Sequence, residues 1–81
     1  MESTNTPPNQ QKEIDEETNS LYDEGNFLLC LGKYEEAIEC YDRILKLNPF
    51  SKTAAGYKGL ALLKLNRRSE AIYCYEKALS C

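Results

Sequence analysis

Ten residues of this chain are written almost twice. Glu36 to Leu45 read EAIECYDRIL and Glu70 to Leu79 read EAIYCYEKAL. Six places are identical (Glu36/Glu70, Ala37/Ala71, Ile38/Ile72, Cys40/Cys74, Tyr41/Tyr75 and Leu45/Leu79), always at an offset of 34 residues. Asp42/Glu76 and Arg43/Lys77 keep their charge sign. A fixed period of that size restricts the chain to a repeat architecture, in which one supersecondary unit stacks on its copy because neither buries its apolar face alone.

The unit reads as helical. Ile14, Leu21, Leu28 and Leu31, with Thr18 and Gly25 between them, form one stripe at three- and four-residue steps. They predict a first helix from about Gln10 to Leu31, with Glu13, Asp15, Glu16 and Glu17 near its N-terminal partial charge. Gly32 supplies a left-handed stop. A second helix is predicted from Tyr34 to Leu47, with Ala37, Ile38, Tyr41, Ile44, Leu45 and Asn48 inward. Asn48-Pro49 ends it, because the residue before proline is driven out of the helical region. Ser51 is a suitable cap for a third helix, about Lys52 to Leu65, with Ala55, Gly59, Leu62 and Leu65 inward. Asn66 stands where the first copy has Gly32, and a fourth helix from Arg68 to Ser80 buries Ala71, Ile72, Tyr75, Ala78 and Leu79. No segment reads as a strand. Short connections make the four helices antiparallel neighbours, an all-α fold. Residues 1–9, polar and broken by Pro7-Pro8, read as a disordered tail, and residues 10–17 as an acidic extension of the first helix.

Composition excludes several classes. The longest apolar run, Phe27 to Leu31, is far short of the ~20 residues a membrane-spanning helix needs. The polar opening lacks the order of a signal peptide, so a cytoplasmic protein is expected. Four cysteines without a CxxC pair, in a chain with no histidine, do not resemble a zinc site; they read as structural thiols, with Cys81 the one placed to react. The net charge of −3 hides a gradient: residues 1–24 carry seven acids and one base, residues 52–81 six bases and two acids. That mixture gives no basic face for nucleic acid, but it suits attraction between opposite ends of neighbouring chains or, more simply, solvated helix faces. No phosphate loop, nucleophile motif or convergent carboxylate pair points to an enzyme, and no cofactor or metal is implied.

The two copies resemble the tetratricopeptide repeat, a 34-residue hairpin of two helices. Gly25, Gly32-Lys33-Tyr34, Ala37, Tyr41 and Pro49 carry the likeness in the first copy (residues 18–51), and Gly59, Ala71, Tyr75 and Ala78 in the second (residues 52–81), which stops short of the family's closing proline. The resemblance implies a right-handed α-solenoid of antiparallel helix pairs. Small residues at Gly25, Ala37, Gly59 and Ala71 allow close helix approach, with Tyr41 and Tyr75 filling the space beside them. Departures are Leu21 and Ala55 in place of the family's usual tryptophan, Ile44 in place of a small residue, and Glu24 and Lys58 in place of leucine. For the last two, a mutual ion pair and outward snorkelling are both open readings.

What the resemblance implies for function is a protein-interaction module. The first helix of each repeat lines a concave groove for a peptide or helix of a partner protein. In this chain that face comprises Asn19, Tyr22, Asn26, Leu29 and Cys30, then Thr53, Gly56, Leu60, Leu63 and Lys64. For Leu29, Leu60 and Leu63, packing against neighbouring helices is the equal alternative. The family's carboxylate clamp is not reproduced: Asn26 matches, but Tyr22 stands in place of lysine and Tyr57 in place of asparagine. Lys58 and Lys64 are left as cations for an acidic tail. Because two repeats fall below the roughly three a solenoid normally needs, the alternative expectation is a homo-oligomer or the opening part of a longer array, joined through Ile72, Cys74 and Leu79.

Overall fold

The computed structural model describes the backbone of residues 8–80 and the side chains of residues 12–79. Among the described residues there are four helices and no strand: α1 Pro8–Cys30, α2 Tyr34–Leu47, α3 Lys52–Lys64 and α4 Arg68–Ser80. α2 and α4 begin 34 residues apart, and α1 and α3 end 34 residues apart. The duplicated sequence is therefore a duplicated structure in the same register.

Both hairpins close in one way. The N–H groups of Gly32 and Lys33 donate to the carbonyls of Leu29 and Leu28 at 3.0 and 2.9 Å. Asn66 and Arg67 repeat the pattern on Leu63 and Leu62, each at 2.9 Å. Such paired closure needs a left-handed residue at the turn, and Gly32 and Asn66 supply it with φ of 80° and 63°. Between the hairpins, Ser51 caps α3 by accepting the Ala54 N–H on its Oγ at 3.2 Å.

The core is built from the two repeats together. Leu21, Ala37, Tyr41, Ile44 and Ala54 form one buried cluster, joined by Leu28, Leu29, Leu45 and Tyr57. Leu62, Ala71 and Cys74 form a second, and Ile38 of α2 packs onto it. Ala54 and Ala61 are small enough to bring α3 close, and both are fully buried.

Several expectations need correction. The first helix opens two residues early, at Pro8, because proline is preorganised for a first turn. Residues 1–7 and Cys81 lie outside the described residues. With that start, α1 has no acid in its first turn, so Glu13 to Glu17 sit beyond the reach of its N-terminal charge. Leu31 is 54% exposed, since the chain has already left the helix there. Asn48 is exposed rather than inward and serves the turn, its Oδ1 accepting the Phe50 N–H at 3.4 Å. Ile72 and Leu79, expected inside from the helical spacing and outside as part of a joining surface, are 54% and 84% exposed, whereas Cys74, the third residue of that surface, is buried. Their counterparts Ile38 and Leu45 pack in the two clusters; among the described residues no helix lies beyond α4 to do the same. Lys58 neither pairs with Glu24 nor snorkels freely. It crosses to α2 and meets Asp42 at 2.7 Å.

Candidate protein-interaction site

The face shared by α1 and α3 carries the residues expected to line the groove. Asn19, Cys30, Thr53, Leu63 and Lys64 are exposed; Tyr22, Asn26, Leu29, Gly56 and Leu60 are half-buried. The half-buried ones of α1 are occupied by the fold. The Tyr22 hydroxyl and Ser51 Oγ share a hydrogen bond of 2.7 Å, and the Tyr22 ring meets Tyr57 edge-on at 6.4 Å. The Tyr41 hydroxyl donates to Asn26 Oδ1 at 2.6 Å. With one lone pair of that oxygen engaged, Asn26 keeps the other and its two N–H donors for a ligand. Leu29 packs on the first core cluster, which decides its alternative for the interior.

On the second repeat the same face is open. Thr53, Gly56 and Leu60 line a pocket of about 360 Å³ together with Lys52, Tyr57 and Tyr75. A side-chain carbon built onto Gly56 would meet nothing within 4 Å. The structure thus places three of the expected residues around one shallow, open depression and leaves Asn19, Cys30, Leu63 and Lys64 outside it. Lys52, Tyr57 and Tyr75 were missed. Tyr57 entered the sequence reading only as the residue in place of the clamp's asparagine, and the first copy has Asp23 there, so comparison of the copies gave it no place in the groove. Lys58, paired with Asp42, is lost as a groove cation. A second cleft of about 330 Å³ lies on another side, between the Pro49-Phe50 corner and Tyr73, Cys74 and Lys77 of α4.

Electrostatics marks out packing rather than chemistry. Burial pushes the Tyr41 hydroxyl up to about 12, with Tyr57 contributing next. Burial also raises the Cys40 thiol, aided by Glu24, and the Cys74 thiol. Glu70 is held below the usual carboxylate range by two hydrogen bonds from Arg67, at 2.6 and 2.9 Å. Among the described residues no three metal-ligating side chains converge, and no helix is long and apolar enough to cross a membrane.

This geometry is two stacked helix hairpins, small residues against a tyrosine in each. The family model of the tetratricopeptide repeat matches residues 22–81. The chain belongs to the tetratricopeptide repeat family. Members of that family are generally protein-interaction modules, and their fold is a solenoid of helical hairpins, as here. No curated protein and no solved structure matches the chain.

Proposed function

We propose that this tetratricopeptide repeat protein is a non-catalytic cytoplasmic module that binds a peptide or helix of a partner protein along the α1–α3 face. The observation that carries the reading is the change of character along that face. Exposed Asn19 and half-buried Asn26 give polar contacts, and the row ends in the pocket at Thr53, Gly56 and Leu60. An extended peptide would place backbone groups on the Asn26 donors and one apolar side chain in the pocket. Leu60→Glu with Asn19→Arg tests it, since neither residue is in the core clusters. Proteins captured by the immobilised chain should be lost by the double variant while its circular dichroism stays helical. An unchanged set would move binding to other faces.

Assembly of the chain with itself is the second reading, favoured by the exposed Ile72 and Leu79. Continuing the 34-residue stacking from copy to copy works against it. α1 carries Ser20, Asp23 and Glu24 where α3 carries Ala54, Tyr57 and Lys58. A second copy's Glu24 would then face Glu76, as Lys58 faces Asp42, and like charges would oppose. Sedimentation of the chain at micromolar concentration checks this: a sharp monomer boundary removes the second reading.

A further inference from the structure

The way α3 sits on the first hairpin describes what would sit on the second. α3 presents Ala54 and Ala61, both fully buried, with Tyr57 and Lys58 between them. Tyr57 stacks on Tyr41 at 5.6 Å, and Lys58 reaches Asp42 at 2.7 Å. The receiving residues recur one period later as Tyr75 and Glu76, on a helix of identical register. Tyr75 is half-buried and Glu76 exposed. Around them the apolar surface of Ile72 and Leu79 faces solvent, while the equivalent Ile38 and Leu45 are packed.

The pocket beside Tyr75 strengthens the correspondence. Two of its walls, Gly56 and Tyr75, are the counterparts of Tyr22 and Tyr41, the two rings that hold Tyr57. It is a shallow, open depression, and a side-chain carbon on Gly56 would meet nothing within 4 Å, so a ring laid there would rest on Tyr75 with no opposing wall.

We propose that the end face of α3 and α4 docks an amphipathic helix of a partner protein bearing an aromatic residue followed directly by a cation, with small residues three before and four after the aromatic. The ring rests on Tyr75, the cation meets Glu76, and the small residues let the helix close on α4 over Ile72 and Leu79. The occupant's chemistry follows from charge complementarity and from continuity with the α2–α3 interface already present. A second copy's α1 fails the pattern, since it offers Asp23 and Glu24 at the aromatic and cationic places. The site shares the pocket at Thr53, Gly56 and Leu60 with the proposed groove and to that extent rests on that reading, while Glu76, Ile72 and Leu79 on α4 are its own anchors.

The probe is an end-blocked peptide of α3's own sequence, Ser51 to Asn66, titrated by fluorescence anisotropy into the full chain. Saturable binding is expected. Glu76→Lys in the chain should weaken it about fivefold, Lys58→Glu in the peptide by a similar factor, and the two together should restore it. A tryptophan at the Tyr57 place of the peptide should bind at least as tightly as the tyrosine. Absence of binding overturns the proposal. So does binding that ignores Glu76→Lys, which would mean that the peptide replaces α3 in its own seat. Self-association abolished by Leu79→Asp and untouched by the peptide would give the face to a second copy and overturn it equally. A Glu76→Lys chain that loses the peptide while keeping its groove partners separates this site from the groove.

Discussion

Tyr57 lies flat on Tyr41, with ring centroids 5.6 Å apart and planes inclined by 15°. One ring comes from α3 and the other from α2, so the stack joins the two repeats rather than closing either. Tyr22 of α1 adds an edge contact to the same ring. Replacing Tyr57 with alanine should therefore uncouple the hairpins and lower stability by about 2–3 kcal/mol. Tyr57→Phe, which keeps the ring, should stay within about 0.5 kcal/mol of the parent. Urea unfolding followed by circular dichroism measures both; equal losses would mean that the ring is not what matters.

Alkali should reach the same place by another route. The Tyr41 hydroxyl is fully buried and hydrogen-bonded to Asn26, and burial pushes it up to about 12 from its ordinary 10.0. A tyrosine with a raised value holds its proton more tightly folded than unfolded. Its contribution is whole below pH 10 and is lost as pH rises toward 12. Two units correspond to about 3 kcal/mol. Unfolding free energies at pH 8, 10 and 11.5 should fall across the upper interval, and Tyr41→Phe should flatten the fall. A parallel decline in both proteins would assign it to other groups.

Much of this was legible because the repeat writes its own structure twice. The spans of α2 and α4, the left-handed turns at Gly32 and Asn66, and the cap at Ser51 all follow from local chemistry acting within a few residues. The misses lie where a residue's surroundings come from the other repeat. Ile72 and Ile38 share the local motif EAI, yet among the described residues only Ile38 has a later hairpin to pack on. The Lys58–Asp42 pair links α3 to α2, whereas comparing equivalent positions pointed to Glu24 on α1. At the candidate groove, exposure was foreseen for Asn19 and Thr53 but not the engagement of Tyr22 with Ser51. That contact depends on how far α3 leans toward α1, a tertiary quantity with no local signal.

The thiols report whether α4 is seated. Cys30 is exposed, while Cys40 and Cys74 are buried and their ionisation is suppressed by that burial. The thiolate is the reactive form, so both should label slowly at neutral pH. In a Cys81→Ser chain, a disulfide exchange reagent should consume one thiol quickly and two slowly, and denaturant should make all three fast. Rapid labelling of Cys74 together with Cys30 would show that α4 opens independently of the rest.

Gly25 and Gly59 occupy equivalent places but should not tolerate alanine equally. A side-chain carbon at Gly25 would lie 2.9 Å from Tyr41 Cε1 and 3.2 Å from Cys40 Cβ; at Gly59 it would lie 3.0 Å from Tyr75 Cε1 and Cζ. Both distances are too short, so a ring must move. Tyr41 cannot, being fully buried, hydrogen-bonded to Asn26 and stacked under Tyr57. Tyr75 is half-buried and borders an open pocket into which it can swing. Alanine also gains about 1 kcal/mol over glycine in a helix interior. At Gly59 that gain should offset most of the clash, leaving stability within about 1 kcal/mol of the parent. At Gly25 the over-packing of about 1–3 kcal/mol should dominate and lower the urea midpoint. Equal destabilisation at the two sites would mean that Tyr75 is held as firmly as Tyr41.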